Sequence, residues 1–397
     1  MKIPNDSTRS FIQLHRHDNI HHLALQNERY PEIDMDWALR QIAGFQKAKT
    51  KLPSLAACES FYYPSSEALE QCSSEQTASY KSSLLKGTTI IDLTGGLGID
   101  TFYFARQAIQ VDYVEQNIEL CEIMLHNCQE LGYSNVTVHH ESATQYLQRS
   151  TGADTLYLDP SRRIPERGKI IDPLDSEPNP IHLKELLMEK AGQRVMIKLS
   201  PMADIKKTLA LLPETSEIHV VAVQNECKEL LFILDKNPSS LKIITINIDI
   251  PNTYQFIFTE EEELNALPEL ASEPQQYIYE PNSAILKAGS FKTIATRFGL
   301  KKFHQHSHLY TSSELISDFP GRSFKLIDVT TFQKKELRNF LKGIQQANVA
   351  IRNFPISAEV LKKKLKLKDG GELFIFGTTD KNGKHLLLKC TKAILNF

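Results

Sequence analysis

The chain has 397 residues, 41% hydrophobic and 24% charged, with a formal net charge of −2. That is too long for one ordinary core and ordinary in composition, so two or three globular domains are expected and wholesale disorder is excluded. Six scattered cysteines without a CxxC pair exclude a disulfide scaffold or zinc knuckle, and no run reaches the roughly 18 apolar residues of a membrane span, which leaves a cytoplasmic protein as the default expectation.

Residues 1–86 form a helical region: Trp37, Ile42 and Phe45 fall at approximate helical spacing, and "SSEALEQCSSEQTASYKSSLLKG" supplies a helix that Gly87 caps. From 87 to 258 short apolar runs alternate with longer amphipathic segments, the pattern of a parallel sheet with crossover helices. Strands are expected at "TTIIDLT", "QVDYVEQ", "VTVHHES", "DTLYLDP" and "RVMIKLS"; "EIHVVAVQ" and "ELLFILD" follow too closely for a crossover and form an antiparallel pair at the sheet's end. An acidic, proline-punctuated connector leads to two small α/β domains, 275–318 and 319–397. Residues 320–397 hold 16 lysines and arginines against 6 acids, a net of +10, so a polyanion would meet the carboxy-terminal end. The fold class is α/β, with a mostly parallel Rossmann-like sheet between the helical region and the small domains.

In "DLTGGLGID" a strand ends at Asp92 and runs into Gly95, Gly96 and Gly98, a turn suited to bringing bare backbone against a ligand. Glu115 ends the next strand, where an acid can accept hydrogen bonds from a ribose diol. A dinucleotide fingerprint from Gly96 requires glycine at 101, which is Thr101, and Asp92 beside a pyrophosphate would set two anions together. A sulfonium ligand reverses that sign.

These residues resemble the first motif of the Rossmann-like (class I) S-adenosylmethionine-dependent methyltransferases, with Thr94 replacing the first glycine. The resemblance implies S-adenosylmethionine as cofactor, held by Asp92, Thr94, Gly95, Gly96, Gly98, Asp100 and Glu115, with Ser142 near the adenine. "DPSRR" is similar to the (D/N/S)PP(Y/F/W) motif of methyltransferases acting on base amino nitrogens, which implies Asp159, Pro160, Ser161 and Arg162 as the catalytic set and Arg163 as a substrate contact. The aromatic of that motif is Arg162 here, so base stacking on a ring is lost.

Over its length the chain resembles bacterial methyltransferase-like proteins with a carboxy-terminal THUMP-like domain. RNA, tRNA or rRNA, is the implied partner, contacted through Lys362, Lys363, Lys364, Lys366 and Lys368. No obligate protein partner and no metal are expected; the histidines of "FHQHSH" and "HRHDNIHH" are taken as surface residues. The alternatives are a methyltransferase for a protein or small molecule, or a non-catalytic RNA-binding module.

Overall fold

The computed structural model describes residues 4–162, 173–236 and 240–393. The chain divides into two compact units, Met1–Glu217 with Glu229–Ser240, and Ile218–Lys228 with Leu241–Phe397.

In the first unit the strands are β1 (Thr89–Asp92), β2 (Gln110–Glu115), β3 (Val136–His140), β4 (Ala153–Leu158), the two-residue β5 (Ser161–Arg162) and β6 (Ser176–Glu177), and β7 (Ala191–Leu199). A hairpin of β8 (Thr215–Val223) and β9 (Glu226–Asp235) follows, of which residues 215–217 and 229–235 belong to this unit and Ile218–Lys228 to the second. β4, β1, β2 and β3 run parallel in that spatial order, β7 joins β4 in parallel, and β9 lies antiparallel on β7. The later arm of the hairpin thus borders the parallel strands. The central strands are buried on both faces, Ile90 and Ile91 at 1% exposure each, which is why they are continuous apolar runs and not alternating ones.

Crossover helices carry conventional ends. The helix Ile118–Leu131 starts where the Asn117 side chain accepts from Glu119 N–H and stops at Gly132, left-handed at φ +74°; Cys121, Met124 and Cys128 turn inward. The amino-terminal helices do not pack apart from this sheet. Ala48, Leu52, Leu55, Phe61, Tyr63 and Leu69 share one core with Phe102, Tyr113, Cys121 and Met124.

In the second unit an antiparallel hairpin joins β10 (Lys242–Asp249) to β11 (Asn252–Phe258). A seven-stranded sheet follows, from β12 (Tyr277–Pro281), β13 (Lys301–Lys302), β14 (Tyr310–Ser312), β15 (Gly321–Thr331), β16 (Asn348–Arg352), β17 (Leu373–Thr379) and β18 (His385–Lys392). Their order is β13-β14-β12-β15-β18-β17-β16, antiparallel except for β16 on β17. Leu361 and Leu365 of the helix Ala358–Leu365 pack with Phe340, Ile375 and Leu387. Among the described residues no helix is long and apolar enough to cross a membrane.

Candidate active site at the carboxyl ends of β1, β2 and β4

The turn after β1 is fixed from three sides. Asp92 is 1% exposed; Thr101 Oγ1 donates to its Oδ2 at 2.6 Å and Thr94 N–H to its Oδ1 at 3.2 Å. Burial pushes the Asp92 carboxyl up to about 7, against the pull of the Thr101 hydrogen bond. Gly96 N–H donates to Glu115 Oε2 at 3.0 Å, and Tyr113 OH donates to the Gly96 carbonyl at 2.6 Å. Thr94 Oγ1 accepts the Asp159 N–H at 2.7 Å, so the side chain that replaces the motif's first glycine ties the end of β4 to the turn.

The glycines have separate reasons. A Cβ on Gly95 would fall 2.1 Å from the Tyr113 ring, so this glycine is demanded by the protein's own packing and not by a ligand. Gly96, at φ +54°, has only the Thr94 carbonyl near its Cβ position, at 3.8 Å, and leaves an open face.

Glu115 spends one hydrogen bond on each carboxylate oxygen, Oε2 on Gly96 N–H and Oε1 on Asn117 N–H at 2.8 Å. Each oxygen keeps further acceptor capacity, which is what a ribose diol requires. The open face at Gly96 beside this acid fits the sugar end of S-adenosylmethionine.

Three other residues expected on the cofactor have protein partners. Asp92 locks the turn from beneath it. Ser142 caps the helix Ala143–Arg149, exchanging hydrogen bonds with Gln145 in a capping box, so its hydroxyl is committed to the helix start. Asp100, 8% exposed, accepts from Ser73 Oγ and Tyr157 OH at 2.9 Å each and pairs with Lys81 Nζ at 3.0 Å.

Asp100 belongs to an ionic network absent from the sequence reading. Lys81, fully buried on the helix Glu75–Ser82, also reaches Glu229 Oε2 at 3.1 Å and Ser73 Oγ at 2.7 Å. Lys198 on β7 holds Asp159 Oδ2. Burial alone would pull the Lys198 pKa down, but Asp159, Glu229 and Asp100 outweigh it and keep the ammonium charged. Burial raises Glu229, whose Oε1 is buried without a hydrogen-bond partner among the described residues; for Asp100, the lysines overcome burial and lower it. Asp159, with a side chain 32% exposed, is the most open acid of this network. The signal was in the sequence: a lysine within "VMIKLS" and a glutamate opening "ELLFIL" are charges in strands otherwise buried.

Ser161 Oγ donates to the Glu177 carbonyl at 3.1 Å, within the short β5–β6 ladder that also holds the Arg162 backbone. Arg163 lies outside the described residues. In the second unit Lys363, Lys364, Lys366 and Lys368 are exposed, while Lys362 is half-buried and paired with Asp369. Among the described residues no group of three histidines, cysteines or acids could hold a metal ion.

Strand order, glycine turn and the acid ending β2 define the class, a Rossmann-like methyltransferase fold. A crystal structure described as a "putative methyltransferase" from Porphyromonas gingivalis W83 is 36% identical, covers 98% of both chains and superposes with a TM-score of 0.89. Residues 277–320 match the model of a ferredoxin-like domain and residues 321–392 that of a THUMP-like domain. The chain belongs to the Rossmann-like, S-adenosylmethionine-dependent methyltransferase family with a carboxy-terminal THUMP-like domain, to which the P. gingivalis protein is similar throughout.

More distant partial likenesses include a Streptococcus mutans protein described as a "putative methyltransferase" in complex with SAH (17% identity, 41% of this chain and 97% of that one, TM-score 0.32). Another is an rRNA methylase from Streptococcus thermophilus (13%, 41% and 94%, TM-score 0.31). Nothing about function transfers at those scores. No curated protein matches the chain.

Proposed function

We propose that the protein transfers a methyl group from S-adenosylmethionine to RNA, tRNA or rRNA, in the cytoplasm. The observation that carries the reading is the Thr94 bridge, which sets Asp159 against the turn whose Gly96 leans on Glu115. A cofactor-binding acid and an acceptor-orienting acid thereby stand at one end of the sheet.

When bound, the cofactor supplies a methyl group on a positively charged sulfur. The chain's own residues bind and align. Glu115 accepts from the ribose hydroxyls, the backbone at Gly95, Gly96 and Gly98 shapes the approach, and Asp159 with the Pro160 carbonyl faces the acceptor. Most of the acceleration comes from that alignment. RNA as the acceptor is supported by the THUMP-like domain and the exposed lysines within it. The likeness of "DPSR" to its motif favours a base amino nitrogen, which needs hydrogen-bond acceptors at Asp159 and Pro160. A hydroxyl needs an acceptor and a cation together.

The test is transfer of labelled methyl to total RNA and, separately, to total protein from cells lacking the gene. Label in RNA is the expected result. Label only in protein, or in neither, overturns the RNA reading.

A further inference from the structure

The Lys198–Asp159 pair bears on the acceptor atom. Two ammonium groups held among carboxylates, one of them fully buried, add little net stability over apolar packing, because the cost of taking them out of water offsets their attraction. A perturbed network that opens to solvent chiefly through one acid at a strand end is the arrangement expected of a reacting centre.

What it suits follows from where charge develops. An amino nitrogen becomes more positive as it bonds to the methyl carbon, and an ammonium beside it opposes that change. A hydroxyl oxygen must shed its proton and becomes more negative, which a neighbouring ammonium assists. A second, independent feature agrees. A base presented by its amino group would stack on an aromatic two residues after Pro160, but Ser161 and Arg162 follow it, and Ser161 is committed to the β5–β6 ladder. A ribose hydroxyl needs no such platform.

We infer that the methyl acceptor is a ribose 2′-hydroxyl of RNA, with Asp159 taking its proton and the Lys198 ammonium facing the developing oxyanion. This rests on methyl transfer to RNA and, for the acceptor atom alone, sets the Lys198–Asp159 pair above the base amino nitrogen that the likeness of "DPSR" favours. In the step, the hydroxyl oxygen forms the new bond to the methyl carbon while the carbon–sulfur bond breaks and its electron pair stays on sulfur. The hydroxyl proton passes to Asp159 and then to solvent. As Asp159 loses its charge, Lys198 exchanges that partner for the acceptor oxygen and remains an ammonium throughout. Lys81, held by Asp100 and Glu229, is a positioning residue behind them.

The experiment uses the full-length protein, labelled S-adenosylmethionine and total RNA from cells lacking the gene, digested to nucleosides and resolved by mass spectrometry. Label in 2′-O-methylnucleosides is expected, and a target oligonucleotide with a 2′-deoxy sugar at the modified position should accept none. Label on a base overturns this inference and leaves RNA methylation standing; no label in RNA overturns both. Lys198→Met should lower transfer on the order of 100-fold, with S-adenosylhomocysteine affinity by calorimetry essentially unchanged and a cooperative folding transition retained at a lower melting temperature. Loss of that affinity or of the folding transition would assign Lys198 a structural role and overturn its part. Lys198→Arg, which keeps the charge, should recover part of the rate; rates equal to those of Lys198→Met would also overturn it.

Discussion

Each compact unit buries acids, and the two neutralise them differently. In the second unit Glu280, its side chain 2% exposed, is gripped by Arg322 from the neighbouring strand β15 and by Arg352 from β16, whose own side chains are 43% and 30% exposed. Guanidinium groups stay charged at every accessible pH and hold a carboxylate by a planar fork, so this cluster is a clamp between strands. In the first unit the network around Lys81 and Lys198 is built on lysines, its acids are Asp100, Asp159 and Glu229, and Asp159 remains partly open. An acid closed off from solvent between two arginines can only be held. A lysine network with an open acid can exchange partners, and the inferred chemistry rests on that difference.

The comparison is broken most severely at Asp159. Asp159→Asn keeps the shape and a partner for Lys198 but removes the proton acceptor, and methyl transfer to RNA should fall by about 10²–10⁴-fold without loss of fold, read by scintillation counting and circular dichroism. On the clamp side, Arg322→Ala with Arg352→Ala leaves Glu280 buried without a cation. Urea denaturation should show a loss of about 3–5 kcal/mol, while S-adenosylhomocysteine affinity is unchanged.

A third test concerns Asp92, whose folded pKa of about 7 stands above the ordinary 3.8. Between those values the folded state binds more protons than the unfolded one, so the stabilisation is complete below about pH 4 and is lost as pH rises toward 7. The ligand-free protein should lose on the order of 3–4 kcal/mol across that window, and Asp92→Asn should flatten the profile in urea titrations at a series of pH values.

Glu115→Ala should weaken S-adenosylhomocysteine binding by about 1.5–3 kcal/mol in calorimetry. The smallest effects belong to the carboxy-terminal lysines. Each of Lys363→Gln and Lys364→Gln should reduce the slope of log affinity for RNA against log salt by roughly 0.7–0.9, and Lys362→Gln by less, because Asp369 already neutralises it.

Much of the first unit is legible in sequence because its signals are local. Asp92, Glu115 and Asp159 each close an apolar strand run, and the turn residues are adjacent in the chain. Sequence did not show that Gly95 answers to Tyr113 and that Ser142 answers to its own helix. Nor could Thr94 be seen as more than a departure from a motif; its value lies in a hydrogen bond to a residue 65 positions away. The hairpin Lys242–Phe258 had no expectation at all, though its isoleucines alternate as strands do.

The sequence by itself determined the five strands from β1 to β4 and β7, the hairpin that follows them, the glycine turn, the acids at the strand ends and the basic carboxy-terminal end. Each depends on neighbours within a few residues, on side-chain periodicity or on charge count. Only the tertiary structure decided that Lys81 meets Glu229 across 148 positions, that Lys198 meets Asp159 across 39, and that Asp159 is the open end of their network. The physical reason is that burial and partnership set the state of a charge, and both come from segments that only the folded sheet brings together.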